Sequence, residues 1–169
     1  MTLADLLRSL QEWLTPHWPI KLIHTWERGA LVRLGIVIRQ LEPGLHVRWP
    51  IIEQVFIEDA SIDVVDTVYQ TVSSADGEDV TFSLSLTYRL ADVAVMYRTV
   101  RDPREVIRNR VAAAAASEVL ATNHAAIDET LGPKIKDVAA QQLLEWGVEL
   151  IEVSWLDLTT APALRLMRN

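Results

Sequence analysis

From Val80 to Leu90 the chain alternates without a break. Val80, Phe82, Leu84, Leu86, Tyr88 and Leu90 take the odd steps, and Thr81, Ser83, Ser85, Thr87 and Arg89 the even ones. Side chains of an extended strand point to opposite faces in turn, so this pattern predicts one long strand with a dry face and a wetter one. A strand of that length must be paired along its edges and covered on its apolar face. The segment before it, Ile62 to Val72, is strand-like and connects through Ser73–Asp79. That loop holds Asp76-Gly77, a turn dipeptide, so the two segments are expected to pair as a hairpin.

Further short strands are expected upstream. Leu22 to Trp26 leads to a turn around Arg28-Gly29, followed by Ala30 to Leu34 and, beyond Gly35, Ile36 to Leu41. Glu42-Pro43-Gly44 is a turn signal in which Pro43 pre-sets φ and Gly44 is expected at positive φ. Leu45 to Trp49 ends at Pro50, and Ile51 to Ile57 follows.

After Ala91 the period lengthens to that of helices. Asp92 is placed to cap a short helix through Val100. Pro103 opens a longer one at a position where its missing N–H costs nothing. Ile107, Val111, Ala115 and Val119 form its buried stripe. A third helix runs from about Pro133 to Trp146, with Ile135, Val138, Ala139, Leu143 and Trp146 on one side and Gly147 to end it. Val148 to Leu158 is a last strand. Strict alternation there puts Val148, Leu150 and Glu152 on one face and Glu149, Ile151, Val153 and Trp155 on the other. The fold class expected is α+β: a mostly antiparallel N-terminal sheet, then helices packed on a smaller sheet that the last strand completes.

At the start, Leu3, Leu6, Leu7, Leu10, Trp13 and Leu14 recur at helical spacing, with Asp5, Arg8, Ser9, Gln11 and Glu12 between them. An amphipathic helix is expected, stopped by Pro16 and Pro19. Residues 1–20 are thus set apart as a helix and a proline-rich break, and residues 21–169 as one domain. Leu3, Leu6, Leu7, Leu10, Trp13, Leu14 and Trp18 are candidates for membrane or subunit contact, since tryptophan favours membrane interfaces. The polar side has Arg8 against Asp5 and Glu12, not the cationic face usual for interfacial helices. Lipid, a neighbouring subunit and the chain's own domain all stay open as its partner.

Chemistry is sparse. Thiolate zinc sites, disulfides and a cysteine nucleophile need Cys, and the chain has none. The net charge of −7 is without a Lys/Arg cluster, which argues against nucleic acid. No phosphate loop, HExxH or GxSxG is present. His17, His24, His46 and His124 lack metal-ligand spacing. Asp76, Glu78 and Asp79 read as solvated turn residues, without calcium-loop spacing. No metal, cofactor or catalysis is expected. No stretch reaches the roughly 20 apolar residues of a membrane span. No secretory signal or lipidation motif is found, so membrane contact would be peripheral.

Five segments, in order, carry a resemblance. They are Glu27-Arg28-Gly29-Ala30-Leu31-Val32-Arg33-Leu34-Gly35; Leu41-Glu42-Pro43-Gly44-Leu45-His46-Val47-Arg48-Trp49-Pro50; Asp76–Thr81 leading into Leu86–Leu90; the Ala-rich stretch Arg108–Leu120; and Trp146-Gly147-Val148-Glu149-Leu150. Together they resemble the SPFH (stomatin/prohibitin/flotillin, band-seven) family across about Lys21 to Met167. Pro43, Gly44, Leu45, His46 and Pro50 make the family's most recognisable turn. The family typically has a membrane helix or hairpin before the domain and a long coiled coil after it. Ala161–Met167 resembles the place where that coiled coil begins. The resemblance implies a non-catalytic scaffold that assembles with copies of itself, at the cytoplasmic face of a membrane. Two alternatives are a soluble accessory or lattice subunit of a larger assembly, and a regulatory module that binds a membrane protease.

Overall fold

A computed structural model of the chain describes Asp5, residues 19–128 and residues 130–161. The stripe from Leu3 to Leu14, and Trp18, lie outside the described residues. The chain divides into two compact units, one running to Ser61 and including Asp92–Arg98, the other made of Ile62–Ala91 and the chain from Thr99 onward. Among the described residues, the first holds five strands in two sheets and the second four in one. The α+β class with antiparallel sheets is therefore present.

In the first unit, β1 (Ile20–Ile23) pairs antiparallel with β4 (Gly44–Val47). Strand β2 (Glu27–Arg33) lies between β3 (Ile36–Leu41) and β5 (Glu53–Asp59). The expected turn at Arg28-Gly29 falls earlier. The Glu27 N–H bonds the His24 carbonyl (3.0 Å), and a Glu27 carboxylate oxygen accepts the His24 N–H (2.9 Å). Gly29 is instead interior to β2, where a Cβ would come within 2.8 Å of Ile23 Cδ1 and 3.3 Å of Leu41 Cβ. This glycine serves close packing, not a turn. Ile23, Leu31 and Leu41 form the small core beneath it.

Helix α1 (Val93–Thr99) starts as expected, with the Asp92 carboxylate accepting the Val95 N–H at 2.9 Å. Its residues up to Arg98 close the first unit. The Val93 N–H reaches the Gln40 side-chain oxygen (2.8 Å), and the Tyr97 hydroxyl donates to Glu58. Arg98 donates to the carbonyls of Val37 and Ile38 on β3.

The second unit is organised by β8 (Asp79–Leu90). Its apolar residues Val80, Phe82, Leu84, Leu86 and Tyr88 are all buried, as the alternation predicts. Strand β9 (Val148–Ala161) takes one edge along its whole length. On the other edge the expected single strand is interrupted: β6 (Asp63–Asp66) and β7 (Gln70–Ser73) pair β8 end to end. Thr67 bridges the gap. Its N–H donates to the Leu84 carbonyl and its hydroxyl accepts the Leu84 N–H, both at 2.8 Å, while Val68 and Tyr69 stand exposed.

Helices α2 (Pro103–Ala121) and α3 (Leu131–Glu145) cover the apolar face. Asp102 caps α2 through the Glu105 N–H (3.2 Å). The stripe Ile107, Val111, Ala115 and Val119 is buried as expected. On α3, Ile135, Ala139 and Leu143 are buried and Trp146 packs at the margin, but Val138 is exposed. Gly147, at φ 78°, follows the end of α3, its N–H bonded to the Leu144 carbonyl (3.0 Å).

The alternation read for β9 is corrected. The register slips opposite Thr87–Tyr88 and again opposite Ser83–Leu84. Each slip inserts one extra residue, a β-bulge, which turns the following side chains over. Val153 therefore joins Val148 and Leu150 in the core instead of opposing them, and Trp155 packs edge-on to Phe82 at 5.5 Å.

Gly132, in the first turn of α3, sits against β9, where an added Cβ would come within 2.9 Å of the Val153 carbonyl oxygen. Backbone cannot move aside as a flexible side chain can. Gly132→Ala is therefore expected to destabilise the protein by about 1–3 kcal/mol, although alanine is the better helix former. Urea denaturation of the two proteins measures it, and an unchanged or raised midpoint would show that α3 can lift off β9 freely.

Candidate functional site

Large apolar side chains of the first unit are left without cover on the β1–β4 ribbon and at two turn tips. Across the β1–β4 ladder, Ile20 faces Val47 and Leu22 faces Leu45. Residues two apart on a strand share a face, so these four make one entirely apolar face, and all four are exposed. The opposite face carries Lys21, Ile23 and His46, and Ile23 is in the core there. Beyond the ribbon, Trp49 is 71% and Ile51 90% exposed, and Leu34 in the β2–β3 turn and Ile36 at the start of β3 are uncovered as well. The two tips are joined, because the Leu34 N–H donates to the Ile52 carbonyl at 3.0 Å.

A buried carboxylate holds the tips. Glu53 is 3% exposed. One of its oxygens accepts Nε and Nη2 of Arg33 (2.9 and 2.6 Å), and the other accepts the Trp49 N–H (2.7 Å). Arg48 Nη1 donates to the Glu53 carbonyl oxygen (3.1 Å). The Glu53 N–H returns to the Trp49 carbonyl (2.8 Å), so residues 49–53 form one tight turn. The backbone N–H of Trp49, then the Arg33 guanidinium, hold the Glu53 carboxyl below its ordinary value. Its charge is satisfied inside the turn. Arg33 and Glu53 neutralise one another, and Lys21 stands on the other face of the ribbon from the four apolar side chains.

The motif Pro43, Gly44, Leu45, His46 and Pro50 spans β4 and the residues that flank it. Gly44 opens β4 at φ 135°, as its place after Pro43 predicts. His46 Nε2 donates to the Glu42 carbonyl oxygen at 2.7 Å, closing the turn. Leu45 belongs to the exposed face, and Pro50 starts the Trp49–Glu53 turn. Leu34, Ile36, Trp49 and Ile51 were not singled out from sequence, where they read as strand ends. The available signal was the run Trp49-Pro50-Ile51-Ile52, in which proline forbids a continuous strand.

Among the described residues there is no cluster of three or more His, Asp or Glu side chains suited to a metal, and no helix long and apolar enough to cross a membrane. Asp76, considered above for chemistry, accepts bonds from the Ser74 hydroxyl and the His124 backbone N–H, as a turn residue does.

Residues 21–165 match the SPFH domain / Band 7 family, and the chain belongs to that family. Its members are typically membrane-associated scaffolds and generally non-catalytic. The chain is also similar to an uncharacterized protein of Archaeoglobus fulgidus, at 23% identity over 154 residues. That match covers 86% of this chain and 60% of the relative, so the chain spans under two thirds of that protein's length.

Two outcomes are expected. No atom comes within 4 Å of a Cβ built on Gly44, so a side chain there costs only backbone strain. Gly44→Ala and Gly44→Val should each lose more than about 1 kcal/mol in chemical denaturation. An unaffected midpoint would place the residue outside the positive-φ region. For Glu53, a folded-state pKa below the ordinary 4.5 gives stability that is complete above that value and lost as pH falls through the lower folded value. The wild type should exceed Glu53→Gln in stability near neutral pH, with the gap shrinking below pH 4.5. A gap constant with pH would mean that the charge of Glu53 does not hold the turn.

Proposed function

We propose that this chain is a non-catalytic scaffold that associates with copies of itself and lies against a membrane surface through the first unit. The observation that carries the membrane part is the uncovered apolar face of Ile20, Leu22, Leu45 and Val47, with Leu34, Trp49 and Ile51 also exposed at the turn tips. An exposed apolar face of this kind marks an interaction site. Burying each large aliphatic side chain is worth roughly 1.5–3 kcal/mol, so covering the set would contribute many kcal/mol.

Lipid is the cover favoured for two reasons. The apolar residues sit at turns and on a two-stranded ribbon, which can dip into a headgroup layer without unfolding. Trp49 has the apolar ring and single polar N–H that suit the membrane–water boundary. Family membership supports the scaffold role, and self-association accounts for a family fold with so little chemistry in it.

The test is sedimentation with phosphatidylcholine vesicles containing phosphatidylserine. The wild type should pellet with them, and Trp49→Asp/Ile51→Asp should reduce the bound fraction at least tenfold, since each charge placed in the apolar layer costs at least about 1.4 kcal/mol. Both positions are exposed, so the fold should persist, as circular dichroism would show. Wild-type protein that stays in the supernatant would mean that protein, not lipid, covers this face.

A further inference from the structure

Strand β9 has a second edge. Leu84 directs both its N–H and its C=O to Thr67, on the β6–β7 side of β8. Backbone direction alternates along a strand, so Ser83, Ser85 and Thr87 direct theirs toward β9. Ser85 is opposite Ser154, which places the Ser154 backbone toward β8 and those of Val153 and Trp155 toward the free edge. No strand among the described residues pairs with that edge. Beside it lies a groove of about 540 Å³, lined by Ile151–Trp155 and by Gly132, Pro133 and Lys136 of α3. An edge of this length with unpaired N–H and C=O groups is a template for another strand.

The edge is nearly symmetric about Ser154. The first bulge involves Ile151 and Glu152, opposite Thr87, and the second Leu156 and Asp157, opposite Ser83. Glu152 and Leu156 are equally distant from Ser154 on its two sides, and so are Ile151 and Asp157. Of the outward-directed residues, Val153 mirrors Trp155 and Leu150 mirrors Leu158. Bulges normally spoil pairing. Here a strand running antiparallel through Ser154 would meet each bulge with the other.

We propose that the occupant of this edge is β9 of a second copy, paired antiparallel about a two-fold axis at Ser154, so that two four-stranded sheets become one. The charges fit this register. Glu149 falls opposite Thr159 of the other copy, Glu152 opposite Leu156 and Asp157 opposite Ile151, so no two acids face each other directly. Shifting the axis to Val153 sets Glu149 opposite Asp157 and brings the bulged Ile151 opposite Trp155. Like charges directly opposed in a ladder are destabilising. One residue of slip thus loses both the charge match and the hydrogen-bond match. A two-fold axis perpendicular to the sheet also puts both helix layers on the same face, the arrangement of an isologous interface.

This inference rests on the self-association reading and names its contact. The chain has no cysteine, so one introduced thiol reports alone. Ser154 is exposed, and in the proposed dimer it forms a non-hydrogen-bonded pair with its copy, with Cα atoms about 4.5 Å apart, within disulfide reach. Under mild oxidation most of the Ser154→Cys protein should become a covalent dimer. Glu152→Cys alone should not, its copies being roughly 13 Å apart along the strand. A mixture of Glu152→Cys and Leu156→Cys chains should cross-link, and Ser154→Lys should weaken the pairing by placing like charges together. Native particle mass is measured in parallel. Wild-type protein larger than a monomer, with Ser154→Cys failing to form the covalent dimer, overturns the β9 contact and leaves self-association standing. Equal cross-linking of Ser154→Cys and Glu152→Cys also overturns the register, as random collision. A wild type that is monomeric at every concentration, with and without vesicles, overturns both.

Discussion

A strand as long as β8 imposes three demands at once. Half of its backbone groups point to each side, so both edges need partners, and its unbroken apolar face needs a lid. The second unit is the set of answers. Strand β9 satisfies one edge from end to end, β6 and β7 the other, and α2 and α3 the face. Where the second edge has no strand, at Thr67, a side-chain hydroxyl takes the place of the missing ladder acceptor. Phe82, Leu84 and Leu86 are completely enclosed as a result.

The two units differ in how their apolar residues are used. In the second, aliphatic residues converge on one core. In the first, one small cluster joins Ile23, Leu31 and Leu41 with Val55 and Ile57 at its margin, and Ala30, Val93, Ala94 and Met96 are buried besides. Many of its other large apolar side chains face outward. Polar contacts compensate: Glu53 with Arg33 and Trp49, Arg28 with Glu42, and the α1 bonds to Gln40 and Glu58. A small domain held together in this way can leave its hydrophobic residues for a partner.

Much of this was legible in the sequence where one period governed one element. The alternation of β8 and the stripe Ile107, Val111, Ala115 and Val119 needed no knowledge of their neighbours, because each faces a single core. Gly44 was legible because Pro43 before it leaves few turn types. Failures came where register depends on contacts far away in the chain. Nothing local marks Ile151 or Leu156 as bulged, and the face taken by Val153 follows only once β8 is beside it. Gly29 looked like a turn because glycine has two uses, flexibility and lack of bulk, and only the approach of Ile23 tells them apart. The apolar tips were hidden for the same reason: exposure is not written in Trp49 or Ile51 but in what fails to cover them.

Helix α1 bears on the order of events during synthesis. The first unit is discontinuous: the chain leaves it at Ser61, builds β6 to β8, and returns only at Asp92. When Ser61 leaves the ribosome, the hydrogen-bond partners of Gln40, Glu58 and the β3 carbonyls have not yet emerged. The nascent first unit must wait for the second unit's central strand, which itself still lacks β9. The apolar ribbon therefore emerges on a half-closed scaffold, in reach of whatever surface the ribosome is near, well before the chain can be complete.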